Sequence, residues 1–103
     1  MFIVTLTYQS SIKHVEKHLE AHKAFLKHYY DNSVFIASGA QKPRIGGVII
    51  ASSSSRETLN HIMQEDPFHK HGVSFYTITE FSPMMCCQAF EPLKIMDENI
   101  QNQ

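Results

Sequence analysis

The amino-acid sequence predicts an α+β fold in which a four-stranded antiparallel sheet carries two helices on one face. Two observations lead to this prediction. Four short segments are rich in β-forming residues, and two segments with helical spacing of apolar residues lie between them. A chain of 103 residues is also long enough for one hydrophobic core but not for two.

The first strand and the first helix follow from the N-terminal third of the chain. Residues 2 to 8, FIVTLTY, alternate between apolar and polar side chains as a half-buried strand does. Ser10 or Ser11 can cap a helix that runs from about 12 to 30, and the Asp-Asn pair at 31 to 32 ends it.

The second and third strands form a hairpin. Residues 33 to 40, SVFIASGA, are predicted as a strand that Gly39 interrupts. The turn-forming sequence KPRIGG follows, and VIIAS at 48 to 52 is close enough to pair with the preceding strand.

The second helix is predicted from a capping box. Ser54 and Glu57 have the spacing of that motif, and the helix runs to about Gln64 with an apolar face made of Leu59, Ile62 and Met63. Pro67 closes it, because proline disfavours the helical conformation in the residue before it.

The last strand, VSFYTITEF at 73 to 81, completes the order β-α-β-β-α-β. Connection rules fold this order most simply as the ferredoxin-like plan. We therefore expect a domain at 1 to 83, followed by an extension at 84 to 103 that partly packs at an interface and frays at its polar, amide-rich end.

Composition and charge exclude several function classes. Hydrophobic residues make up 43% of the chain and the formal charge is −1, so the basic footprint of a nucleic-acid-binding protein is missing. No apolar run approaches the roughly 20 residues of a membrane span. The N-terminus lacks a basic leader, so we expect a cytoplasmic protein, and the adjacent Cys86 and Cys87 are expected to stay reduced.

A histidine stands on the predicted buried face of the first helix. Helical spacing places His22 near the centre of an apolar stripe formed by Ile12, Val15, Leu19, Leu26 and Tyr29. One interpretation is a core histidine that bonds a backbone carbonyl or a hydroxyl. The other is a catalytic imidazole.

The whole chain resembles the YciI-like family, whose members are small proteins of the dimeric α+β barrel type. The resemblance rests on EAHKAFL in the first helix, the strand ending ASGA, the capped second helix, EDPF, and HGVSFYTITEFSP through the last strand. It covers about residues 2 to 83. The most useful markers are the helix histidine and the Asp-Pro-aromatic step.

In this family the matching histidine and aspartate are proposed to act as an acid/base dyad, which the resemblance carries over to His22 and Asp66. A carboxylate that bonds one ring nitrogen fixes the tautomer and leaves the other nitrogen free to move a proton. The alternative for an Asp before Pro is ordinary turn chemistry. Leu19 and Ala40 replace the Arg and Pro of many relatives, and loss of the Arg removes an anion clamp.

We predict Gly39, Phe68 and Arg44 as substrate-binding residues. Gly39 is the glycine of the ASGA strand, and Phe68 is the aromatic residue of the Asp-Pro-aromatic step. Arg44, with Lys42, could attract an anion to the pocket, although basic hairpin tips are also common for solubility alone.

The remaining histidines offer a metal site as a rival. His14, His18 and His22 recur every four residues, but no glutamate completes a HExxH motif. His69 and His71 could line the pocket or belong to a solvated turn, which we favour. We predict neither a metal nor a cofactor.

Three functional interpretations remain. The first is a cofactor-independent lyase, isomerase or hydrolase that acts on a small molecule. The second is a small-molecule binding or sensing module without catalysis, and the third is a structural dimer whose pocket residues are relics.

The sequence also predicts a homodimer. One sheet covered on a single face leaves the other face bare, and the strands supply apolar or β-branched residues for both faces. We expect the segment from Met84 to Phe90 to help seal the interface. The candidates for the core or this interface are Phe2, Val4, Leu6, Val15, Leu19, Leu26, Ile36, Val48, Ile50, Leu59, Ile62, Phe75 and Ile78.

Overall fold

The computed structural model describes residues 1–101, and their regular elements follow one another as β1 (Phe2–Tyr8), α1 (Ile12–Asp31), β2 (Phe35–Ala40), β3 (Gly46–Ala51), α2 (Arg56–Met63), α3 (Pro67–Lys70), β4 (Ser74–Glu80), a 3₁₀ turn (Gln88–Phe90) and α4 (Glu91–Gln101). The sheet has the order β2-β3-β1-β4, and every neighbouring pair is antiparallel. This is the predicted ferredoxin-like plan, and the predicted fold class is confirmed.

The helices α1 and α2 lie on the same face of the sheet. The side chains of β1 alternate, so that Phe2, Val4 and Leu6 are buried while their neighbours are only partly covered. The buried cluster joins these residues to α1 and α2, and its members are Phe2, Val4, Leu6, Val15, Phe25, Phe35, Ile49, Ala51, Leu59, Ile62, Met63, Phe68 and Val73.

The buried line along α1 runs through Val15 and Phe25 rather than through Ile12, which is 43% exposed. The predicted stripe was therefore wrong at Ile12. At 3.6 residues per turn, Ile12 lies to the side of Val15 opposite to Phe25, and this side turns away from the sheet. Phe25, which the sequence analysis did not select, packs against Phe35 of β2 with ring centroids 5.6 Å apart.

The caps of α2 and α3 differ from the prediction by small steps. Ser55, not Ser54, caps α2, and its side chain accepts a hydrogen bond from the backbone N–H of Thr58 at 3.0 Å. Pro67 does not simply close this helix. It is the first residue of α3, a position that suits proline because its nitrogen has no hydrogen to leave unpaired.

The C-terminal segment contains a helix that the sequence analysis did not predict. Asp97 of α4 is buried, and its Oδ1 lies 2.5 Å from the N-terminal nitrogen of Met1, just before β1. An ion pair that is removed from water in this way positions α4 against the start of the sheet. The division of the chain at residue 83 stays a prediction, and residues 102 and 103, where we expect fraying, lie outside the described residues.

Candidate active site

His22 of α1 contacts Asp66, which directly precedes α3. The ring Nδ1–H donates to Asp66 Oδ1 at 2.7 Å, and the side chain of His22 is 12% exposed while that of Asp66 is fully buried. An ionised carboxylate can only accept hydrogen bonds, so this contact fixes the proton of a neutral imidazole on Nδ1. Nε2 is then the ring nitrogen that can accept a proton.

Asp66 is held by the local turn as well as by His22. It is the N-cap of α3, and its Oδ1 also accepts the backbone N–H of Phe68 at 3.0 Å. The turn interpretation and the dyad interpretation of this aspartate therefore describe the same arrangement. Its Oδ2 is buried and has no hydrogen-bond partner among residues 1–101, a costly state for a carboxylate oxygen.

Phe68 fixes the plane of the His22 ring. The two rings are stacked, with centroids 3.9 Å apart and an interplanar angle of 3°. Phe68 is itself buried, so neither ring can turn without disturbing the packing between α1 and α3. The Asp-Pro-aromatic step thus supplies the carboxylate, the helix start and the stacking partner from three consecutive residues.

The dyad borders a cavity of about 300 Å³ between α1 and the β2-β3 hairpin. This volume suits a small organic molecule. The predicted residues His22, Gly39, Arg44 and Phe68 all line it, whereas Asp66 lies behind His22 and does not. The other lining residues are Leu6, Tyr8, Leu19, Lys23, Leu26, Ser38, Ala40, Gly46, Gly47, Val48 and Ile49.

Among these lining residues, Lys23, Ser38 and Tyr8 were not predicted. Lys23 follows His22 in α1. The Ser38 Oγ and Tyr30 Oη hydroxyls share a hydrogen bond of 2.5 Å. Their place in the sequence gave no signal, because the cavity is assembled from strands and a helix that are distant along the chain.

A glycine is required where the β2-β3 hairpin approaches β1. A Cβ atom on Gly46 would lie only 1.8 Å from the backbone oxygen of Leu6, so any side chain there would push β1 and β3 apart. Gly46 therefore lets the hairpin close over the cavity. Gly39 has no such constraint, because nothing lies within 4 Å of the corresponding Cβ position.

Three of the other histidines lie against one another and do not line the cavity. The rings of His18 and His71 are stacked with centroids 4.1 Å apart, and His14 meets His18 edge to face at 5.0 Å. His69 and His71 are both exposed and neither lines the cavity, as the favoured solvated-turn interpretation predicts, although His71 also contacts α1 through His18. Across the part of the chain that the structure describes, no group of three or more metal-binding side chains is arranged to hold an ion.

A second concave region lies against α2 and β4. It is wider and shallower than the first, with a volume of about 680 Å³, and its walls come from Arg56, Glu57, Asn60, Tyr76, Thr77 and Ile78. Its lining residues include no imidazole, and among them Tyr76 Oη donates a hydrogen bond to Asn60 Oδ1 at 2.6 Å. The cavity beside His22 is therefore the better candidate site.

None of the helices within residues 1–101 is both long enough and apolar enough to cross a membrane.

Comparisons with known proteins agree with this description. A family model of the YCII-related domain matches residues 1–82. No curated protein sequence matches the chain. Among solved structures, 5-chloro-2-hydroxyhydroquinone dehydrochlorinase from Burkholderia phenoliruptrix, in complex with 2,5-dihydroxybenzoquinone, is similar with a TM-score of 0.66 and 17% identity over 79% of this chain and 93% of that chain. At this identity the likeness bears on the fold alone.

Proposed function

The chain belongs to the family of proteins with a YCII-related domain, and on that premise we propose that it is a cofactor-independent enzyme that moves a proton on a small molecule. His22 is the general base or acid, and Asp66 orients it. The observation that carries this proposal is the 2.7 Å contact between His22 Nδ1 and Asp66 Oδ1 at the wall of a cavity.

The geometry of the dyad suits transfer of a proton from a substrate to Nε2 of His22. When Nε2 of His22 takes a proton from a substrate, the ring becomes a cation beside a buried carboxylate. Asp66 stabilises that cation, and stacking on Phe68 keeps Nε2 pointed in one direction. A core histidine would need neither a charged partner nor a neighbouring cavity, so the catalytic interpretation is favoured over the structural one.

The cavity walls suggest the class of substrate. Most of the lining side chains are apolar, and cations stand on two sides, at Lys23 and Arg44. Lys23 Nζ lies 3.7 Å from Glu20 Oε1, and this exposed ion pair contributes little energy. Arg44 has no ion-pair partner among residues 1–101. A compact apolar substrate that becomes an anion after losing a proton, such as an enol or a phenol, fits this arrangement.

The similar solved structure supports a lyase among the three reaction types. That protein is a dehydrochlorinase by name, and its structure contains a small dihydroxyquinone. Removal of hydrogen chloride needs a base but no redox cofactor, which is the chemistry a His-Asp pair can supply. We extend the reaction type to this chain as a proposal, without its substrate.

A non-catalytic binding or sensing protein is the second candidate, and one residue favours it. Leu19 lines the cavity where many relatives have an arginine, so an anion-binding group has been replaced by an apolar wall. A pocket altered in this way can retain a ligand without turning it over.

Substitution of His22 tests the enzyme proposal. A panel of halogenated phenols, hydroquinones and small lactones is screened for turnover, and His22→Gln is expected to reduce kcat by at least about 100-fold while the melting temperature changes little. His28→Gln, on an exposed face of the same helix, is the matched control and keeps full activity.

Asp66→Asn separates the role of the carboxylate from that of the turn. The asparagine oxygen still accepts the Phe68 N–H, so α3 is kept, but the amide cannot stabilise an imidazolium. We expect a large loss of kcat with a small loss of stability. Turnover that survives in both His22→Gln and Asp66→Asn would rule out this pair as the acid/base group. Ligand binding with no turnover by the unaltered protein would favour the binding protein instead.

We also propose a homodimer formed through the face of the sheet that the helices leave open. Ile3 and Ile50 are only partly buried on this face, and Phe75 is 48% exposed. Apolar side chains arranged in this way across three strands favour burial against a second copy. Sedimentation at micromolar concentration should give a mass of two chains, and a monomer there would contradict the dimer. The cytoplasmic location and the lack of a cofactor stay predictions from the sequence.

A further inference from the structure

Two stacked ring pairs join α1 to α3, side by side. His22 stacks on Phe68 with centroids 3.9 Å apart, and one helical turn earlier His18 stacks on His71 with centroids 4.1 Å apart. His71 is the C-cap of α3 and Asp66 is its N-cap, so the two ends of this four-residue helix are fixed on α1 by adjacent contacts. The dyad and the His18–His71 pair therefore connect the same short helix to α1.

The surroundings of His18 oppose positive charge on its ring. The pKa of His18 is lowered by removal from water and by the neighbouring His71, His14 and Lys17. His14 meets it edge to face on α1, and its Nδ1 contacts Ser10 Oγ at 2.5 Å. From α3 the facing group is His71, with the exposed Lys70 beside it in the chain, and none of these neighbours is a carboxylate.

We propose that His18 and His71 form a proton-sensitive positioning pair, which holds Asp66 against His22 while both imidazoles are neutral and releases α3 when they become charged. The importance of this pair for catalysis rests on the proposed function, whereas the stack of His18 on His71 is a contact within the structure. Neutral imidazoles attract each other through their stacked faces. Two imidazolium rings at this distance repel each other, with no neighbouring anion to offset the charge.

The pH response of this pair is opposite in sign to that of the dyad. Charging His22 strengthens its contact with Asp66, because a cation then faces a carboxylate. Charging His18 and His71 weakens the adjacent contact and lets the C-terminal end of α3 move away from α1. Loosening of α3 at acid pH therefore points to the His18–His71 pair and not to His22.

The backbone N–H of Phe68 reports the position of α3 without any substrate. It is buried and donates to Asp66 Oδ1 within the cap of α3, so its hydrogen exchange requires α3 to open to solvent and measures how often this happens. In the unaltered protein, protection of this amide, corrected for the intrinsic effect of pH on exchange, should fall at least about tenfold between pH 7.5 and pH 5.5.

Replacing one ring of the pair by phenylalanine should remove this response. In His71→Phe a stack is retained, and a charged His18 above the phenyl face is attracted rather than repelled. Protection of the Phe68 N–H at pH 5.5 should then stay within about twofold of its value at pH 7.5. His18→Phe is the reciprocal variant and should behave in the same way, so a folding defect in one does not remove the test.

His28→Phe is the matched control, since it makes the same change on α1 at a distance from α3, and it should keep the pH response of the unaltered protein. The proposal is overturned if the Phe68 N–H shows no loss of protection at pH 5.5, or if both phenylalanine variants lose protection as the unaltered protein does. Because no readout uses turnover, this result is independent of whether His22→Gln abolishes activity.

Discussion

The two faces of the sheet are built from the same strands but are covered very differently. On one face Phe2, Val4 and Leu6 of β1 are at most 3% exposed beneath the helices. On the other face Ile3 of the same strand is only partly covered, and Phe75 of β4 is 48% exposed. The alternation of a strand decides which face a residue joins, but the cover on that face decides what the residue contributes to stability.

The covered face is itself not uniform. Below α2 the core is closed by Leu59 and Met63, which are fully buried. Below the middle of α1, however, the space next to the β2-β3 hairpin is a cavity bordered by His22 and Leu26. The helix that protects the sheet thus also provides the candidate site, and this is the part of the core where packing is replaced by a binding volume.

The largest effect that separates the two faces should come from matched phenylalanine substitutions. Phe2→Ala removes a fully buried ring from β1 and should lower the free energy of unfolding by about 3 to 5 kcal/mol. Phe75→Ala removes the same atoms from the open face and should cost about 1 kcal/mol or less at protein concentrations where the chain is a monomer. Urea unfolding followed by circular dichroism measures both.

Equal losses from Phe2→Ala and Phe75→Ala in dilute protein would contradict the distinction between the faces. A loss from Phe75→Ala that grows with protein concentration would instead sharpen it, because it would show that the open face gains its stability from a second copy.

The next effect tests what covers the open face. Ile50→Lys places a charge in the middle of the proposed dimer interface, beside β1 in the sheet, and should weaken association at least about 100-fold. The fold of each chain should survive, because Ile50 is only partly buried and the stem of a lysine can lie along the same surface.

Glu57→Lys is the control for Ile50→Lys, since it makes a larger change in charge on exposed α2 and should leave association unchanged. Analytical ultracentrifugation of the three proteins over a concentration series gives the comparison. Equal weakening by both substitutions would mean that net charge, and not this face, determines association.

Most of the fold could be predicted because it follows from short-range patterns. Alternation placed β1 at its observed ends, and the serine before α1 predicted its start. The cap of α2 was missed by one residue because Ser54 and Ser55 are equally good caps, and only the contact of Ser55 with Thr58 distinguishes them.

Helix α4 was missed although Leu93, Met96 and Ile100 have helical spacing and are partly buried. The ion pair between Asp97 and Met1 that positions it has no signal in the local sequence.

The candidate site was predicted less directly. His22 could be placed on the inner face of α1 by spacing, but its pairing with Asp66 came from the family resemblance, since 44 residues separate them. The stack of His18 on His71 had no signal in the sequence, because it depends on how the short α3 turns back towards α1. Contacts between distant segments are set by tertiary packing, which local patterns do not encode.

The smallest expected effect concerns the segment between β4 and the 3₁₀ turn. Met84 and Met85 are 79% and 90% exposed, and the two thiols follow them. Removal from water, and then the hydrogen bond of Cys86 Sγ to Glu91 Oε1 at 3.4 Å, raise the pKa of the Cys86 thiol above its usual 9.0. At pH 8 the thiolate, which is the reactive form, is therefore a smaller fraction of Cys86 than of a thiol with the usual pKa of 9.0.

We expect iodoacetamide to modify Cys86 about two- to fivefold more slowly than Cys87 at pH 8 in dilute protein, as the lower thiolate fraction is partly offset by higher nucleophilicity. Glu91→Gln should narrow this difference by removing the nearby negative charge, and peptide mass spectrometry measures both rates. If the segment from Met84 to Phe90 seals the proposed interface, both thiols should react more slowly as the concentration passes the association range, and Ile50→Lys should abolish that slowing. If the protein dimerises but the modification rates of Cys86 and Cys87 do not depend on protein concentration, the segment from Met84 to Phe90 lies outside the interface. The open face would then be covered only by the strands of the second copy.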